Sequence, residues 1–176
     1  MRSLLGTMLA FALVGTPGCA RPMPPSPPAP VVVPPDRPFS LNGDEERRRL
    51  YSMLEPCRVR ALMSYPQAKA RFVRGLPPGH LFMVTTRLAD AQDHQEQVFV
   101  EVVAVQSDSV FGRLATDVQA VRGFSNGQQL VIHESQLVDW TIVRPDGSEE
   151  GNLMGKYLDA LQDTGRPPAG VCSGEA

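Results

Sequence analysis

The chain has 176 residues, 42% of them apolar and 20% charged, with a formal charge of −2. This is material for one hydrophobic core rather than two. It lacks the clear Lys/Arg surplus that phosphate binding needs, so nucleic acid is not an expected partner, although the charge is unevenly spread. Eight Lys/Arg stand against four Asp/Glu from Asp44 to Arg74, and two against eight from Asp90 to Asp139. Those halves read either as solvated faces that complement each other or as a basic surface turned toward anionic envelope material.

Met1-Arg2 followed by the uncharged run Leu4–Val14 and a set of small residues has the order of a secretory signal, placed at residues 1–18. Eleven apolar residues are too few to span a hydrocarbon core, which needs about 20. Cutting before Cys19 would resemble lipoprotein processing and leave an acylated Cys19 as a membrane anchor. Gly18 suits that cut, whereas Thr16 stands where an aliphatic residue is usual. Cutting after Ala20 would satisfy the small-x-small rule and discard the cysteine. Both schemes export the chain and leave the even pair Cys57 and Cys172 in an oxidising compartment. A disulfide between them would close a loop worth about 4.7 kcal/mol in the chain-entropy model and would pin the Pro/Gly-rich tail at 164–176; two free thiols are the alternative.

Residues 19–41 form a proline-rich linker. Polyproline II geometry at about 3.1 Å per residue would give Ala20–Pro38 a reach of roughly 60 Å. A single domain is expected at 42–163. Asn42 can cap a helix with Glu45 at its third position and an apolar stripe of Leu50, Tyr51, Met53, Leu54 and Cys57. Ser64-Tyr65-Pro66-Gln67 reads as the start of a second helix, stopped by Gly75 and Pro77-Pro78. From His80 the pattern changes to short β-branched and aromatic runs, HLFMVTTRL, QVFVEVVAV, SVFGRLA, QQLVIH and LVDWTIV, which read as an antiparallel meander. A final helix from about Asn152 presents Leu153, Met154, Tyr157, Leu158 and Leu161 on one side and ends before Gly165. The expected fold class is α+β: a small, strongly twisted antiparallel sheet or open barrel of about five strands, packed against two N-terminal helices and one C-terminal helix.

The segments YPQAKARFVRGLPPGHLFMVTTRL, EQVFVEV, VFGRLATDV, LVDWTIV and RPDGSEEGNLMGKYLDAL resemble the YegJ-like family of uncharacterised bacterial proteins, a domain of unknown function. The resemblance covers about Tyr65 to Leu161. It implies a small α+β domain of bacterial origin with no assigned activity and no family catalytic residues to carry over.

Strand alternation in LVDWTIV would put Val138, Trp140 and Ile142 on one face and Leu137, Asp139, Thr141 and Val143 on the other. Trp140, the sole tryptophan, reads as a core anchor or a stacking platform. Asp139 among apolar neighbours needs partners or a raised pKa. It would either accept backbone N–H groups near PDGSEEGN or act as a general base with Glu101 or a histidine. Asp139, Trp140 and Glu101 are therefore the candidate binding residues, and no catalytic set is assigned.

GNLMGK is not a phosphate loop, because three residues rather than four separate its glycines and Tyr157 follows the lysine. Gly147, Gly151 and Gly155 suit a turn, the start of a helix and close packing instead. His80, His94 and His133 lack ligand spacing, so neither a metal nor a cofactor is implied. The resulting expectation is an exported, lipid-anchored envelope protein on the periplasmic side, at the outer membrane or else soluble. It would bind an envelope protein or cell-wall component without catalysis. The alternatives are a small periplasmic hydrolase or transferase using Asp139, and a toxin-neutralising or inhibitory module with an acidic patch over Asp90–Glu101.

Overall fold

The structure is a computed structural model that describes residues 44–166, 168 and 170–172. The expected signal at 1–18, Cys19, the expected linker at 19–41 and the expected Asn42 cap lie outside the described residues. Within them, one long helix α1 (Asp44–Arg74) precedes five strands: β1 (Leu81–Ala89), β2 (Gln95–Gln106), β3 (Ser109–Leu114), β4 (Gln129–His133) and β5 (Leu137–Val143). A three-residue strand β6 (Glu149–Gly151) and helix α2 (Leu153–Thr164) complete the domain. The fold is α+β, with an open antiparallel sheet of order β4-β3-β2-β1-β5-β6.

Two expectations need correction. The two N-terminal helices are one, because α1 runs through both Pro56 and Pro66. An internal proline removes one helical hydrogen bond and crowds the preceding turn, costing about 3 kcal/mol. Here both prolines lie on the exposed side, while Leu50, Leu54, Cys57, Ala61, Tyr65 and Ala68 keep a buried stripe at helical spacing across them. Continuous packing outweighs the two lost bonds. Ser64 caps nothing, since its hydroxyl donates back to the carbonyls of Arg60 (3.1 Å) and Ala61 (3.0 Å). α1 stops where expected, with Gly75 at φ +96° and its N–H bonded to Phe72 O.

The second correction is topological: there are six strands rather than five, and the meander covers only β1 to β4. The chain passes from β4 to β5 through one three-residue 3-10 turn, Glu134–Gln136. A flat sheet would separate those strands by four spacings, about 19 Å. The four backbone steps from His133 to Leu137 reach at most about 14 Å. The sheet must therefore coil strongly, and bulges between Val102 and Ala104 on β2 and at Val138 on β5 supply part of that curvature. It stays open, with β4 and β6 as its edges.

The core has two parts. Phe82, Val84, Val98, Val100, Val110, Leu114, Ile132, Leu137, Trp140 and Ile142 line the concave face and meet Ala61, Tyr65 and Ala68 of α1. Leu50, Leu54, Cys57, Val138, Met154, Tyr157 and Cys172 fill the space where the first half of α1 meets α2. A disulfide joins Cys57 to Cys172, with their Cα atoms 4.5 Å apart. It ties the tail to α1, and the Arg60 guanidinium donates to the carbonyls of Gly170 and Val171 beside it.

Candidate functional site

All seven residues of β5 are buried, and this strand, paired between β1 and β6, carries both Asp139 and Trp140. Its β-bulge changes the expected facing. Thr85 of β1 pairs with Asp139 and Thr86 with Leu137, leaving Val138 as the extra residue. Leu137 therefore joins Trp140 and Ile142 in the main core, and Val138 packs with α2 and Cys57. Simple alternation misassigns both residues, because a one-residue bulge inverts the sides beyond it.

Trp140 is 6% exposed and lies under α1. Its indole N–H donates to the Ala61 carbonyl and to the Ser64 hydroxyl, both at 3.0 Å. Its backbone carbonyl accepts from Asn152 N at 2.8 Å, and Gly151 sits against its ring. A Cβ at Gly151 would meet the Trp140 carbonyl and indole, and φ is +79° there, so glycine is required twice over.

Asp139 is 1% exposed. Its Oδ2 accepts from the Met154 amide and its Oδ1 from the Trp140 amide, each at 2.7 Å. Met154 is in the first turn of α2, whose own N-cap residue, Asn152, adopts a left-handed conformation (φ 50°, ψ 47°) with no side-chain cap bond. The Asn152 amide instead donates to Glu149 Oε2 at 2.7 Å, and Gly155 leaves room for it against the turn. Asp139 thus caps α2 from a strand thirteen residues upstream of Asn152, placing an anion at the positive end of the helix. Burial pushes its carboxyl up to about 6, against the pull of the Met154 and Trp140 amides, the Lys156 ammonium and the Leu153 amide. Lys156 donates to the carbonyls of Glu149 (3.0 Å) and Gly151 (2.7 Å), so the lysine of GNLMGK closes the β6–α2 connection.

Two threonines neighbour Asp139, and strand alternation places only Thr141 beside it. Thr85 lies directly opposite it on β1, and Thr141 follows two residues along the same side of β5. Both hydroxyls are buried without a hydrogen-bond partner among the described residues. Alternation could flag Thr141, but Thr85 depends on the β1–β5 register, which no local pattern reveals.

Glu101 does not join this group. It pairs with Met83 on β1 and Arg113 on β3. β1 stands between it and β5, so the two backbones are on the order of 10 Å apart. The histidines are dispersed as well. His94 bonds Asp90 at 3.0 Å, His133 bonds Asp108 at 2.9 Å, and His80 faces the Pro78 carbonyl at the start of β1. No group of three or more His, Cys, Asp or Glu able to hold a metal exists among the described residues.

The Asp90–Glu101 stretch is largely turned to internal use. Glu96 accepts the consecutive amides of Gln119 (3.0 Å), Ala120 (2.7 Å) and Val121 (3.2 Å). Asp90 accepts the next amide, Arg122, together with those of Gln92 and His94. His94 and these amides hold its carboxyl down at about 2 despite the desolvation it suffers. Two carboxylates thus occupy a concave run of backbone N–H groups and fasten the β3–β4 loop to the β1–β2 turn.

A family model described as an uncharacterized protein conserved in bacteria (DUF2314) matches residues 62–162. No curated protein and no solved structure matches the chain.

Proposed function

Because the chain belongs to the DUF2314 family of uncharacterized proteins conserved in bacteria, we propose from its own residues that it is an exported, lipid-anchored envelope protein. Its α+β domain would serve as a non-enzymatic binding module. The observation that carries the reading is the Cys57–Cys172 disulfide, since such bonds form and persist in oxidising compartments outside the cytoplasm. The N-terminal sequence supports the same reading: a basic start, a short apolar run, small residues, Cys19 and then a proline-rich spacer. The partner is an envelope protein or cell-wall component, and the placement is the periplasmic side of the outer membrane. The YegJ-like resemblance belongs to this proposal too.

A non-enzymatic role is favoured because both Asp139 oxygens are taken by backbone amides and Glu101 is held away from them. An inhibitory role through Asp90–Glu101 is disfavoured because Asp90 and Glu96 are already engaged by backbone amides of the β3–β4 loop.

Mass spectrometry of the mature protein, taken from its native envelope without reduction, tests address and disulfide together. The expected result is an acylated N-terminal Cys19 and a cross-linked Cys57–Cys172 peptide. An unprocessed Met1, or two free thiols, would overturn the reading. Affinity capture with the tethered domain tests the binding role, which fails if no envelope component is enriched over a linker-only control.

A further inference from the structure

Four of the six large apolar side chains exposed among the described residues lie on α1: Met53, Val59, Met63 and Val73. Three of them belong to one line. Pro56, Val59, Met63, Pro66, Ala70 and Val73 alternate at spacings of three and four, directly opposite the buried stripe. Met63 is 76% exposed and Val73 64%. The line runs about 26 Å along the helix at 1.5 Å per residue.

Its flanks are cationic. From Pro56 to Arg74 the helix carries Arg58, Arg60, Lys69, Arg71 and Arg74 and no acidic residue. Arg58 is neutralised by Glu55 and Lys69 by Glu134. Arg71 and Arg144 share the single carboxylate of Glu150, which leaves one positive charge over. Arg60 donates only to carbonyls, and Arg74 has no carboxylate partner among the described residues. The face is apolar along its crest and net positive on its sides.

We propose that this face of α1 docks on an anionic phospholipid surface, lying in the headgroup plane. The inference rests on the envelope reading above and deepens it by assigning a partner to a surface of the domain. Charge decides against a second copy of the chain, because pairing two such helices would bring like-charged flanks together. Spanning is excluded for this helix, since no helix among the described residues is long and apolar enough to cross a membrane. A shallow apolar line between basic flanks is the pattern of an interfacial helix. The chain following Cys19 enters the domain at α1, so an anchor there would tether this helix before any other element.

Methionine oxidation of the mature full chain tests this on vesicles of phosphatidylglycerol mixed with phosphatidylcholine, compared with phosphatidylcholine alone. Met63 should oxidise several-fold more slowly on the anionic vesicles, since each basic residue near such a surface strengthens docking about five-fold. High salt should abolish the protection, and so should the double variant Arg60→Gln/Arg74→Gln; both positions are exposed, and the Cys57–Cys172 disulfide keeps the tail in place when the Arg60 bonds are lost. Equal oxidation on both vesicles overturns the proposal. So does protection that persists in the double variant or that appears only when envelope proteins are added. A processed, disulfide-bonded chain without this protection would sink the docking inference alone, whereas an unprocessed chain would sink the envelope reading.

Discussion

The Asp139 carboxylate accepts a 2.7 Å hydrogen bond from the Met154 amide, joining the buried centre of β5 to the first turn of α2. The helix lacks a side-chain cap from its own N-cap residue. Its unpaired first-turn donor is satisfied by a strand residue, so docking α2 and capping it are one event.

Burial of this carboxyl makes stability pH-dependent with a defined sign. The folded-state pKa of Asp139, about 6, lies above the ordinary 3.8. Its contribution is therefore complete below about pH 3.8 and is lost as pH rises through about 6. The stability advantage of wild type over Asp139→Asn should shrink by about 3 kcal/mol across that window. Urea midpoints measured at a series of pH values check this, and an advantage that grows with pH would refute it. Asp139→Ala, which strands two buried amides, should cost about 2 kcal/mol near neutral pH.

Gly151→Ala should destabilise by about 3 kcal/mol, combining a left-handed backbone with a collision against the Trp140 carbonyl and ring. The near-ultraviolet signal of Trp140 should change with it. Ala at Gly165, also at positive φ but with open space around it, should cost less, about 1 kcal/mol.

Reduction of the disulfide, or Cys57→Ser with Cys172→Ser, removes a cross-link between residues 115 apart. Stability should fall by about 4 kcal/mol. Residues 170–172 should become more readily cleaved by protease, because only the Arg60 hydrogen bonds and side-chain packing would then hold them to α1. Denaturation with and without reductant gives the first quantity, and peptide mapping the second.

Glu96→Ala should release the β3–β4 loop while leaving the sheet intact. The amides of Gln119, Ala120 and Val121 lose their shared acceptor. Their hydrogen exchange should accelerate about ten-fold, corresponding to roughly 1.4 kcal/mol of local opening. Amides of β1 and β2 should keep their protection.

Pro66→Ala should stabilise the protein by about 1–3 kcal/mol. The new N–H can reach the Leu62 carbonyl in a helix that already runs through this exposed position. A higher thermal midpoint with unchanged helical circular dichroism is the expected result.

Much of the architecture was legible from local pattern. Alternating β-branched runs located β1 to β5, and Gly165 marked the end of α2, because side-chain period and backbone preference act within a few residues. The turn at Gly147 and the close packing at Gly155 were readable for the same reason, whereas Gly151, expected at a helix start, ends β6 against Trp140. The pairing of Cys57 with Cys172 was available as one of two readings, and only the approach of their backbones selects it. Local signals also misled: Ser64-Tyr65-Pro66 has the composition of a helix start, yet the buried stripe from Leu50 to Ala68 carries one helix past it.

By itself the sequence determined an α+β chain, its strand-forming runs, the C-terminal helix and a basic first half, since each depends on composition or short-range periodicity. Only the tertiary structure decided that α1 is continuous and that β5 carries a bulge sending Leu137 and Val138 to different cores. It alone decided that a sixth strand pairs beside β5, that Asp139 caps α2, and that Asp90 and Glu96 accept amides of the β3–β4 loop. Those outcomes follow from strand register and side-chain packing between distant segments, where the energy gained is non-local and a one-residue shift changes which groups meet.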